Sequence, residues 1–243
     1  MTDAALVAQT TSQGYSAYAV QEATVTVRRG GVEAVFTGLG YEGLNALWAD
    51  TGWTQDGVHA ALACCPTVPA LFHVGPPEDA VLEALLLAEG LVFYEEEPAM
   101  IAPTAAPAAP AVAGLTITQP SALDEFVAVW TGSRDPEFRR RLTRLRSLPA
   151  FEHLVGRLDS RAVATAAVFH GGSASEIQHV VTAPEYRRRG IGTAMTAATL
   201  DLCRSRGRDV AVLTSSPEGV HVYERLGFRR VGVVRRFLRE AQA

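Results

Sequence analysis

The sequence predicts an α/β (α+β) chain of two consecutive domains, on three observations. Short β-branched runs alternate with segments whose apolar residues recur at helical spacing. An uncharged Pro/Ala stretch, residues 102–114, interrupts that alternation near the middle. The charge also changes sign there: residues 1–114 hold 2 arginines against 13 acidic residues, a net of −11, and residues 115–243 hold 20 against 13, a net of +7.

Element by element, residues 71–74 read as a strand, 78–89 as a helix stopped by Gly90, and 91–101 as extended chain. The Pro/Ala stretch then reads as a semi-rigid linker, which places domains at 1–101 and 115–243. Beyond it, residues 115–118 read as a strand, and Ser121 is positioned to cap a helix carrying Leu123, Phe126, Val127 and Trp130. A second helix is expected over 135–147. Its basic run, Arg139, Arg140, Arg141, Arg144 and Arg146, reads as a solvated face rather than a binding site. Strands follow at 151–158, 162–170 and 176–182.

Residues 180–193 are the most informative part of the chain. A β-run, Val180, Val181 and Thr182, breaks at Pro184 into a turn holding Arg187, Arg188, Arg189, Gly190, Ile191, Gly192 and Thr193. Ile191, Ala194, Met195, Ala198, Leu202 and Cys203 then form an apolar stripe at helical spacing. The first N–H groups of a helix have no intrahelical acceptor, and the helix dipole adds about half a positive charge there. Such a turn is an anion site, and glycines leave room for a ligand to reach the main chain. A dinucleotide fingerprint would need a third spaced glycine, and a P-loop would need a lysine, which this chain lacks entirely. Nucleic acid is disfavoured by the acidic overall charge and by the absence of aromatic residues interleaved with the arginines.

With a second motif downstream, the run resembles the acyl-CoA signature of the GNAT superfamily of N-acetyltransferases. Arg187, Gly190 and Gly192 match that signature, residues 210–215 read as the next strand, and residues 222–228 match the family's helix-end pattern with its tyrosine, Tyr223. The resemblance covers roughly residues 115–240. It implies a mixed, mostly antiparallel central sheet flanked by helices, closing in a final hairpin over 228–238. The first half resembles, more weakly, the degenerate N-terminal domain of tandem GNAT proteins, because it carries no comparable glycine turn.

The resemblance further implies acetyl-CoA as co-substrate, its pyrophosphate on the main chain of 188–193 and its pantetheine arm along Val180, Val181 and Thr182. Ser216 stands where many relatives place an asparagine that bonds the arm, which weakens one contact. Tyr223 takes the place of the family's proton donor to the departing thiolate, with core packing as the plain alternative. Glu176 leads the candidates for general base, and alternation would put Glu176, Gln178 and Val180 on one face. An exposed glutamate at a strand end fits the pattern equally well. His179 and His221 follow it.

The expected activity is direct acetyl transfer to a primary amine, first that of a small molecule; a protein N-terminus or lysine is the alternative acceptor. A non-catalytic acyl-CoA-binding module is the alternative of another class. No metal is expected, since Cys64, Cys65 and Cys203 form no spaced ligand cluster and read as small packing residues. No apolar run approaches the ~20 residues that span a bilayer, and the N-terminus lacks the basic start of a secretory signal. The reading is therefore a cytoplasmic monomer or homodimer, interacting with neither membrane nor nucleic acid.

Overall fold

A computed structural model of the chain describes residues 1–21, 24–65, 67–105 and 109–241. In chain order the elements are α1 (Asp3–Ser16), β1 (Val25–Arg29), β2 (Val32–Phe36), β3 (Asn45–Ala49), α2 (Gln55–Ala63), β4 (Ala70–Val74), α3 (Ala80–Ala88) and β5 (Val92–Pro103). There follow β6 (Leu115–Thr118), α4 (Leu123–Thr131), α5 (Pro136–Arg146), β7 (Phe151–Leu158), β8 (Arg161–His170) and β9 (Ser175–Thr182). The chain finishes with α6 (Ile191–Ser205), β10 (Val210–Thr214), α7 (Val220–Glu224) and β11 (Arg229–Arg239). They form two compact units, which are not consecutive stretches: Met1–Ala99 with Val231–Ala243, and Met100–Arg230.

In the first unit the strand order is β1-β2-β3-β4-β11-β5. Strand β11 runs antiparallel to β4, from Arg235 opposite Val74 to Arg239 opposite Ala70. The final hairpin expected over 228–238 is thus a single strand. No turn dipeptide interrupts it; Gly232 is instead where a Cβ would meet the Pro76 side chain at 2.8 Å, so its role is close approach. Phe36, Leu47, Phe72 and Phe237 from the sheet close on Val58 of α2 and Leu86 of α3. The start of α2 is filled from within, since the Thr54 hydroxyl accepts from the Gly57 N–H at 3.2 Å and Asp56 puts a carboxylate in the first turn. Cys64, expected to pack, is exposed at the end of α2, and Cys65 is half-buried.

In the second unit β6 to β9 form an antiparallel run, β10 lies parallel to β9, and the end of β5 lies beside β10. Phe126 of α4 meets His153 at 4.6 Å between ring centroids, while Leu154, one residue on, clusters with Met195 of α6. Successive strand residues point to opposite faces, so α4 and α6 cover opposite sides of this sheet.

Three expectations change here. Ser121 does not cap α4, whose N-cap is Ala122 with no side-chain bond. Arg146 is not on a solvated face of α5: it is fully buried, one turn beyond Leu142, with its guanidinium 4.1 Å from the Phe151 ring centroid. The semi-rigid linker expected at 102–114 falls inside the second unit, where its described residues, 102–105 and 109–114, are bonded and packed. The Thr104 N–H donates to Asp209 O at 2.9 Å, its hydroxyl donates to Arg208 O at 2.7 Å, and Ala109 and Val112 pack on this unit's apolar clusters. Residues 106–108 of that stretch lie outside the described residues.

Candidate active site

The site is built on β9, whose two edges are treated differently. Its pairing with β8 continues as far as Thr182 opposite Ala164. Its parallel pairing with β10 stops after Ser175 opposite Ala211 and Glu176 opposite Val212. From Ile177 to Thr182 the edge toward β10 therefore carries no strand partner among the described residues, and main-chain donors and acceptors remain there for a ligand to pair with.

A β-bulge shapes the same segment. Opposite β8 the register shifts between Thr165 and Ala167, so His179 and Val180 share the place of one residue. His179 takes φ +52°, and its carbonyl accepts from the Thr165 hydroxyl at 3.1 Å. The bulge inverts the alternation, so Val180 packs in the same apolar cluster as Ile177 rather than on the face of Glu176 and Gln178. The expectation that Glu176, Gln178 and Val180 share a face fails for this reason.

After β9, Pro184–Tyr186 make one 3-10 turn. Arg188 at φ +63° and Gly190 at φ +80° then swing the chain into α6, with Gly190 as its N-cap. Gly190 has no side chain to cap with, and among the described residues nothing accepts from the N–H groups of Ile191, Gly192 or Thr193. A Cβ at Gly192 would meet nothing nearer than the Thr182 hydroxyl at 3.9 Å, so the approach is open. Two of the three arginines brace the turn: Arg187 Nε donates to Thr182 O at 3.0 Å, and Arg189 donates to Glu185 O at 3.2 Å with its guanidinium 5.4 Å from the Tyr186 ring centroid. Arg188 is exposed beside them.

Tyr223 on α7 is half-buried at the rim of the cluster that holds Ile177, Val180 and Phe228, its ring 5.8 Å from that of Phe228. Ser216 follows β10 and is exposed; its carbonyl accepts from the Ser215 hydroxyl at 2.8 Å.

Glu176 is not the exposed strand-end residue that the sequence allowed, for it is only 4% exposed. Its carboxylate accepts from Gln178 Nε2 at 2.6 Å, and Gln178 Oε1 accepts from Arg146 NH1 at 3.1 Å. The amide thus bridges a buried acid and a buried guanidinium. His179 stacks on Trp130 at 3.8 Å, and burial, followed by Arg146 and His153, holds its pKa well below the ordinary value. His221 pairs with Glu224 at 3.1 Å on the surface. Sequence reasoning put Gln178 on the face of Glu176 but read Arg146 as part of a solvated face. The signal was present in the spacing, because Arg146 stands one helical turn beyond Leu142 on the buried stripe.

Strand, bulge, glycine turn and helix follow one another in this order within a fold that known N-acetyltransferase structures share. Residues 119–228 match the model of the acetyltransferase (GNAT) family. Over 68 residues the chain is 35% identical to an uncharacterized N-acetyltransferase of Methanocaldococcus jannaschii, covering 27% of this chain and 30% of that protein. Over 59 residues it is 37% identical to the glucosamine 6-phosphate N-acetyltransferase of Trypanosoma brucei brucei, covering 24% of this chain and 40% of that protein. The chain thus spans less than half the length of these curated relatives. Among solved structures, a GCN5-related N-acetyltransferase from Kribbella flavida superposes with a TM-score of 0.72 at 21% identity, covering 98% of this chain and 95% of that one. A tandem GNAT protein from the clavulanic acid biosynthesis pathway superposes with a TM-score of 0.61 at 17% identity, covering 91% of this chain and 85% of that one. These likenesses carry the mixed, mostly antiparallel fold.

Proposed function

We propose that the chain is an acetyl-CoA-dependent N-acetyltransferase acting on the primary amine of a small molecule. The observation that carries this reading is the early end of the β9–β10 pairing, which leaves a strand edge leading directly into an open, uncapped helix start. The donor set fits the co-substrate: main-chain N–H groups of Ile191, Gly192 and Thr193 suit a pyrophosphate, and the edge from Val180 to Thr182 suits the amides of a pantetheine arm. Arg188 adds a cation in solvent. When bound, acetyl-CoA supplies an acetyl group activated as a thioester.

This chain's residues then divide the proton work. Tyr223 holds a proton on a phenol at the rim of the apolar cluster, a group suited to protonating a departing thiolate. Glu176 is the carboxylate available to take a proton from an ammonium, and its bond from Gln178 fixes the carboxylate's orientation. His179 is a poor base, because its environment keeps the imidazole neutral by lowering its proton affinity. A small-molecule acceptor is favoured because the second curated relative is named for an amino sugar phosphate.

The test is coenzyme A release, followed as free thiol, across a panel of amines including amino sugars, polyamines and peptides. Turnover with a small amine supports the proposal. Acetyl-CoA binding with no turnover on any amine would replace it by a non-catalytic binding module.

A further inference from the structure

The first unit contains a cleft of about 120 Å³ that shares no residue with the glycine turn. At about 10–15 Å³ for each water-sized position, it accommodates a ligand of about ten non-hydrogen atoms. Its walls come from α1, the end of β3 and the segment after β4. Tyr15 and Trp48 stack with centroids 6.0 Å apart, and Trp53 stands alongside. The Trp53 indole is fixed by donating from Nε1 to Asp79 at 2.7 Å. Asp79 also caps α3, accepting from the N–H groups of Val81 and Leu82, bonds that hold its carboxyl below the usual range and hence charged. Asp50 and Glu78 line the cleft as well.

Behind the rings lies His73, only 8% exposed. Arg236, which can only donate, faces His73 Nδ1 at 3.4 Å, so the ring proton sits on Nε2. That Nε2 is buried and, among the described residues, has no hydrogen-bond partner. A buried donor left unmade is costly, and its place on a ring that lines the cleft points to an acceptor that arrives from outside. Arg236 does not offset the acidic walls, because Glu95 and Glu97 each pair with it at 2.7 Å.

We propose that this cleft binds a small organic ammonium compound carrying a hydroxyl, ether or carbonyl oxygen. The cation lies against the faces of Tyr15, Trp48 and Trp53 under the field of Asp50, Glu78 and Asp79, and its oxygen accepts from His73 Nε2. An anion is repelled by three carboxylates, and a purely apolar ligand leaves the His73 donor unmet. No reaction is assigned to the cleft.

The test is calorimetric titration of the full chain with choline, tetramethylammonium and 3,3-dimethylbutan-1-ol, the last being the uncharged carbon isostere of choline. Choline should bind saturably, tetramethylammonium more weakly for want of the oxygen, and the neutral alcohol about tenfold more weakly or worse. Asp50→Asn and Asp79→Asn keep the turn and the helix cap, since asparagine caps as well as aspartate. Each should still weaken choline severalfold. The proposal is overturned if choline fails to saturate, if the neutral alcohol binds equally well, if folded Asn variants bind choline unchanged, or if acetyl-CoA displaces it competitively.

Discussion

Replacing Gly192 by aspartate separates the fold of the glycine turn from its use. The position lies in the first turn of α6, and among the described residues a Cβ there meets only the Thr182 hydroxyl, at 3.9 Å. A carboxylate in a helix's first turn favours the helix by about 0.3–1 kcal/mol. The same charge within about 5 Å of a bound pyrophosphate costs about 3 kcal/mol at an effective dielectric of about 20, or roughly two-hundredfold in affinity. Gly192→Asn, with nearly the same shape and no charge, should lose far less. Calorimetry with acetyl-CoA on both variants, alongside thermal unfolding, reads the two effects apart. Equal affinity for the Asp and Asn variants, both folded, would refute an anion site at the start of α6.

Four further outcomes follow from the structure. Tyr223→Phe should lower kcat by about 10²-fold or more with little change in acetyl-CoA affinity, measured by thiol release and calorimetry; unchanged kcat would return Tyr223 to core packing. Arg146→Met should destabilise the protein by about 3 kcal/mol in urea melts, because it strips a fully buried guanidinium from Gln178 and Phe151; a loss under about 0.5 kcal/mol would contradict the buried network. Burial, then Arg146, lowers the pKa of His153 from 6.5 to about 3. The unfolded chain binds that proton first as pH falls, so stability should drop between about pH 6.5 and 3 by up to about 1.4 kcal/mol per unit, and His153→Leu should flatten the slope seen in urea midpoints. At pH 8, iodoacetamide should label exposed Cys64 and spare Cys203, which is fully buried with its thiol pushed up to about 11, as peptide mass mapping would show.

The legible part of this protein was local. A proline break, two spaced glycines and an apolar stripe fix a strand, a turn and a helix within about 25 residues, and no distant partner is needed to read them. What depended on tertiary partners was hidden. The bulge at His179 and Val180 is a relation between β9 and β8, and the run 229–239 shows its strand character but not that it joins β4. Arg146 looked solvated by residue type and is buried by helical phase, which shows composition losing to geometry at a single position. Glu176 was singled out by its place in the strand, while its burial follows from neighbours on β8 and β10 that the strand's own sequence does not reveal.

The central claim is that main chain, from the free edge of β9 into the start of α6, holds the acyl donor. Amide chemical shifts on adding acetyl-CoA test it most directly. The account predicts the largest perturbations at Val180, Val181, Thr182, Ile191, Gly192 and Thr193, saturating together. Saturable binding that leaves those amides unmoved, or no binding at all, would contradict it.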